Sequence, residues 1–156
     1  MDLRVAQSPR RSLFRSDAMQ KLLAFGGLIA LYIVFSVASP YFLTADNMVG
    51  ILLATAVNGV LALGVTFVII TSGIDLSVGT MMTFSAVMTG VFITFWQLPI
   101  ALGLVGGIAA GALCGLVNGL VISKMKVPPF IATLGMLYAT KGLSLIISGV
   151  KPIYFN

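Results

Sequence analysis

The sequence has no glutamate and no histidine, one cysteine, and only 8% charged residues in 156. Soluble domains carry about a quarter charged residues. So few charges cannot solvate a surface, which excludes an ordinary soluble domain, a disordered chain and a coiled coil. A single cysteine, Cys114, excludes a disulfide scaffold and a cysteine-based metal site, and reads as a small packing residue. Without histidine the chain lacks the usual proton shuttle and the commonest metal ligand. The only acids are Asp2, Asp17, Asp46 and Asp75, so no carboxylate pair is spaced for acid/base work. There is no G-x-x-x-x-G-K-[ST], G-x-S-x-G or H-E-x-x-H pattern. The expectation is a protein that is not an enzyme and needs no cofactor or metal.

What is present is apolar length: 59% of the residues are hydrophobic. A helix crossing the bilayer needs roughly 20 apolar residues. Five stretches qualify: 22–42, 48–71, 76–96, 99–122 and 130–150. The runs are long and do not alternate, so strands are excluded. The predicted class is all-α, a polytopic membrane bundle of about five spans. It is organised as a basic arm (1–21), a membrane region (22–150) and a short outer tail (151–156). The eight methionines read as gap-fillers.

Charge sets the orientation. Arg4, Arg10, Arg11, Arg15 and Lys21 crowd the first 21 residues. A basic head on a body that cannot stay in water points to anionic lipid and excludes nucleic acid. With the arm in the cytoplasm, five spans put Lys124 and Lys126 inside as well, as the positive-inside rule asks. Tyr41, Phe42, Phe95, Trp96, Tyr154 and Phe155 then form one outer aromatic belt. Ser36-Val37-Ala38 could end a cleaved signal peptide, but the apolar stretch is long for one and Pro40 follows the cut.

Inside the spans, each polar group calls for an explanation. Asp75 in Ser72-Gly73-Ile74-Asp75-Leu76-Ser77-Val78-Gly79 reads as a cap for span 3, or as part of a broken helix beside a transport path. Lys141, mid-span, should face a partner or a wet cavity; a snorkelling side chain is the weaker reading. Asn58 and Asn118 suit hydrogen bonds between helices better than substrate contact. Span 4 carries Gly103, Gly107, Gly111, Gly115 and Gly119, an unbroken four-residue repeat. Such a stripe admits a second helix at close range and suits a crossed contact. In span 5, Thr140, Lys141, Ser144 and Ser148 are expected on one polar side, with Gly135, Gly142 and Gly149 seven apart. Pro128 and Pro129 fit its first turn.

Several segments, in order, resemble the permease subunit of bacterial ABC sugar importers of the ribose, xylose, arabinose and galactose type. The most specific is 62–71 (ALGVTFVIIT) running into 72–79 (SGIDLSVG). Gly115-Leu116-Val117-Asn118-Gly119 and 127–135 (VPPFIATLG) follow. Phe42-Leu43-Thr44 with Asn47, Lys141-Gly142 and Lys151-Pro152-Ile153 match more weakly. The resemblance implies two permease copies around a central path, a separate ATP-binding subunit on the cytoplasmic side, and a periplasmic sugar-binding protein. It implies the inner membrane as the location. Asp75, Asn58, Asn118 and Lys141 become candidates for the substrate path or for coupling. The family usually has arginine where Lys141 stands, and an ammonium does not reproduce a guanidinium fork. Family members are about twice as long, and their Glu-Ala-Ala-like coupling segment lies in the second half. The chain is therefore expected to be an N-terminal half. The competing expectations are a self-associating half-transporter or channel, and a membrane scaffold without flux.

Overall fold

The computed structural model describes residues 17–154, which are helical without strands. The elements are α1 (Asp17–Ala38), α2 (Ala45–Ile70), α3 (Val78–Gly90), α4 (Ile100–Ser123) and α5 (Pro129–Ser148). Five helical segments are long and apolar enough to cross a membrane, so all five expected spans exist. The basic residues of the arm before Asp17 lie outside the described residues, as does Phe155.

The helix ends differ from the sequence reading for local reasons. α1 stops at Ala38 rather than at 42, because Pro40 disfavours helical geometry in the residue before it. α3 is helical only to Gly90; Val91–Phe95 continue it as one π-helical turn, closed by Trp96 N–H donating to Val91 O. α5 stops at Ser148 because Gly149 takes the left-handed conformation, φ 63°, and its N–H caps Leu145 and Ile146 carbonyls. Pro128 and Pro129 open α5, where no intrahelical N–H is lost.

Two compact units divide the chain at residues 56 and 57, within α2. In the first, the 39–44 turn folds onto α1: Phe42 stands edge-on to Tyr32 at 5.2 Å and stacks on Phe35 at 5.7 Å. Asn47 Nδ2 donates to Phe42 O at 2.6 Å, which ties the start of α2 to that turn.

In the second unit α3 is the central helix, flanked by α4 and α5. α4 runs antiparallel to it. Pairs descend in order from Ser77 with Asn118, through Met81 with Gly115, Ser85 with Gly111 and Thr89 with Gly107, to Ile93 with Gly103. α5 runs parallel: Thr133 pairs with Ile74, Thr140 with Thr80, and beyond α5 the tail residues Ile153 and Tyr154 meet Gly90 and Thr94. The interior is small and largely hydroxylic; Ser77, Thr133 and Thr140 are the largest fully buried side chains. Leucine, isoleucine, valine and phenylalanine line the outside. That arrangement suits lipid, where burying apolar groups gains little and close packing with hydrogen bonds holds helices together.

Candidate functional site

The four candidate residues separate into two sets. Asp75 and Asn118 come together through a residue that sequence reasoning passed over, Ser77. The Ser77 hydroxyl donates to Asp75 Oδ1 at 2.6 Å, and Ser77 N–H donates to the same oxygen at 2.8 Å. Asn118 Nδ2, from α4, donates to the Ser77 hydroxyl oxygen at 3.1 Å. Met81 Sδ lies 3.0 Å from that hydroxyl, but the one proton goes to the carboxylate, the stronger acceptor. Ser77 is wholly buried and Asn118 is 7% exposed. Asp75 is thus not the cap of α3. Ser77 occupies that position, and Asp75, two residues before it, accepts its backbone N–H and its hydroxyl.

The same loop is held from α5. Thr133 Oγ1 lies 3.3 Å from Ile74 O and 2.8 Å from Pro129 O, and is 2% exposed. One turn further along α3, Thr80 donates to Ser77 O at 2.9 Å and accepts from Thr140 at 2.9 Å. Loop, α3, α4 and α5 are therefore joined by one chain of hydrogen bonds. Thr71, Gly73, Asp75, Asn118 and Thr133 face a cavity of about 350 Å3 at this end of the unit.

Asn58 and Lys141 stand apart from this cluster. Both are exposed on the chain's surface, in the middle of α2 and α5 respectively. Neither has a hydrogen-bond or ion-pair partner among the described residues. The polar side expected for α5 splits. Thr140 and Ser144 are buried, while Lys141, one residue and about 100° on, turns outward. A second cavity of about 280 Å3 collects Thr83, Ser144, Ser148 and Lys151.

Four of the five repeat glycines in α4 lie along α3. A Cβ on Gly103 would strike Ile93, one on Gly107 would strike Thr89 Oγ1 and Ser85 O, and one on Gly111 would strike Ser85 Oγ. A Cβ on Gly115 would come to 3.8 Å from Met81 Cε, whereas one on Gly119 would meet nothing within 4 Å. Gly106, off the repeat, receives the Phe92 ring, which leans edge-on to Trp96 at 5.0 Å. The matching period was present in α3 as Ser77, Met81, Ser85 and Thr89, four apart like the glycines. The spacing Thr133, Thr140 was an equally legible signal for the α5 face.

Five apolar segments long enough to cross a membrane, an apolar exterior and hydroxylic helix contacts define a multi-pass, all-helical membrane protein. Residues 47–153 match the family described as branched-chain amino acid transport system / permease component, and the chain belongs to that family. It is 40% identical over 147 residues to the ribose import permease protein of Bacillus subtilis, covering 94% of this chain and 45% of that one. It is 34% identical over 126 residues to the ribose import permease protein of Escherichia coli K12, covering 81% and 39%. With the L-arabinose ABC transporter permease protein of Azospirillum brasilense it shares 36% over 128 residues, covering 82% and 38%. The chain spans less than half the length of these relatives. No solved structure matches it.

Proposed function

We propose that the chain acts as the membrane permease subunit of an ATP-driven, binding-protein-dependent monosaccharide importer. The observation that carries this reading is the 40% identity to a ribose import permease across 94% of the chain. Its partners are a separate ATP-binding subunit, a periplasmic sugar-binding protein and a second permease copy. It sits in the inner membrane with residues 1–21 in the cytoplasm, 22–150 as the membrane region and 151–156 outside. The chain itself hydrolyses nothing; ATP is spent on the partner subunit.

Asn58 and Lys141 each lie twelve residues from the inner end of their helices, Ile70 and Pro129. At 1.5 Å per residue both stand about 18 Å from that end, near the membrane centre. A lysine at that depth costs roughly 2.5–3.5 kcal/mol against lipid, so it faces the wet path, and Asn58 shares it. Asp75 and Asn118 belong to the inner end, where Ser77 couples the 71–77 loop to α4.

The test is uptake of radiolabelled D-ribose in bacteria lacking their own ribose permease. Uptake is expected only when the ATP-binding subunit and the binding protein are co-expressed, and it stops when the ATP-binding subunit is disabled. Uptake that needs neither partner overturns the reading in favour of a self-sufficient half-transporter. Failure of the chain to associate with either partner, together with no uptake, also overturns it.

A further inference from the structure

The cavity of about 350 Å3 under the 71–77 loop has a lining whose hydrogen-bonding capacity is only partly used. Asp75 Oδ1 is taken by Ser77, but the second carboxylate oxygen has no partner among the described residues. Asn118 gives one N–H to Ser77 and keeps its carbonyl oxygen and its other N–H. Asn118, 7% exposed, turns this free capacity toward the cavity, and none of its unpaired polar atoms is sealed off from solvent. The lining also includes the apolar side chains of Val68, Ile122 and Pro129.

We propose that this cavity is a monosaccharide subsite at the inner end of the path, with Asp75 and Asn118 holding neighbouring sugar hydroxyls. A carboxylate accepts from two hydroxyls at once, and an amide both accepts from and donates to them, which matches groups that are themselves donor and acceptor. The apolar part of the lining suits the C–H face of a pyranose or furanose ring. A metal ion would find a single carboxylate here, and no group of three or more His, Cys, Asp or Glu side chains is present among the described residues. The volume falls in the roughly 300–1,000 Å3 range of small-molecule sites. The inference rests on the import reading and names where the sugar leaves.

The experiment is saturation-transfer NMR on the 156-residue chain in lipid nanodiscs, with millimolar D-ribose as probe. Asp75→Asn keeps an oxygen for Ser77 and replaces the free acceptor with an NH2 group. Gly119→Val fills the cavity where a Cβ meets nothing within 4 Å. Ile146→Ala, on the exposed face of α5, is the control. Saturation transfer to ribose C–H protons is expected in the parent and in the control, with at least a tenfold weaker affinity in both cavity variants at unchanged helical circular dichroism. Absence of transfer in the parent overturns the subsite, as does equal transfer in the cavity variants. Saturation transfer to free arginine but not to ribose, arginine standing for a cationic side chain, also overturns the subsite and assigns the cavity to a protein partner. Partner-dependent uptake alongside any of these failures leaves the import reading standing; loss of that uptake removes both.

Discussion

At the scale of the residue, Ser77 carries the most consequence. Its hydroxyl links the Asp75 carboxylate to the Asn118 amide. Ser77→Ala strands a buried Asn118 N–H and removes one of the two bonds to Asp75 Oδ1. Such a loss costs about 1–3 kcal/mol. A lower midpoint of thermal unfolding in detergent is the expected outcome, and an unchanged midpoint would show the relay to be slack. Val150 makes the opposite case. It is a β-branched residue at φ 58°, directly after the glycine that caps α5. Valine in that region is strained by roughly 1–2 kcal/mol, which asparagine tolerates better. Val150→Asn is therefore expected to raise the unfolding midpoint, and a fall would mean that its side chain makes a contact outweighing the strain.

At the scale of the element, the α3–α4 pair turns on complementary small residues. Glycines on α4 face serine, threonine and methionine on α3, each set four residues apart. With no side chain on one helix, hydroxyls on the other close the gap, and dispersion over four turns replaces the missing hydrophobic drive. The positions are not equivalent, and the stripe can be tested residue by residue. Gly107→Ala drives a methyl into Thr89 and the Ser85 carbonyl; a backbone carbonyl cannot rotate away. Gly119→Ala meets open space. The expected result is loss of folded yield for the first and near-parent yield for the second, read by size-exclusion chromatography in detergent. Gly111→Leu should likewise cost more yield than a similar change at the exposed Leu104. Equal yields would mean the helices separate freely. The π-helical turn at Val91–Phe95 belongs to this packing: it sets Phe92 over Gly106 and Ile93 over Gly103, where α3 nears its end.

At the scale of the whole molecule, exposure of the apolar side chains and the run of charge decide the setting. The orientation reading puts Lys124 and Lys126 inside, and Gln97 outside. Single cysteines introduced at Lys126 and Gln97, with Cys114 replaced by alanine, are expected to react with a membrane-impermeant maleimide from opposite sides. Labelling of both from the outside would overturn the orientation.

Length and composition sufficed for the five crossings, since no other solvent accommodates runs so apolar, and the ends of α1 and α5 moved where Pro40 and Gly149 imposed their local geometry. The resemblance to sugar permeases was legible too, because the segment 72–79 and the Pro128-Pro129 start are local strings. The partnering of the polar groups was not legible. Asp75, Ser77 and Asn118 are brought together by the antiparallel register of α3 and α4, and residues 41 apart carry no mark of each other in sequence. Lys141 and Thr140 are neighbours in the chain, yet one faces outward and the other packs on Thr80, because about 100° of helix rotation separates them and only the place of α3 says which direction is inward. Sequence alone thus determined how often the chain crosses the bilayer, since the free energy of moving each run into lipid is a sum over its own residues. Tertiary structure decided which polar groups are spent holding helices together and which keep bonding capacity free, since hydrogen bonds in a medium without water form only between groups that packing brings within reach.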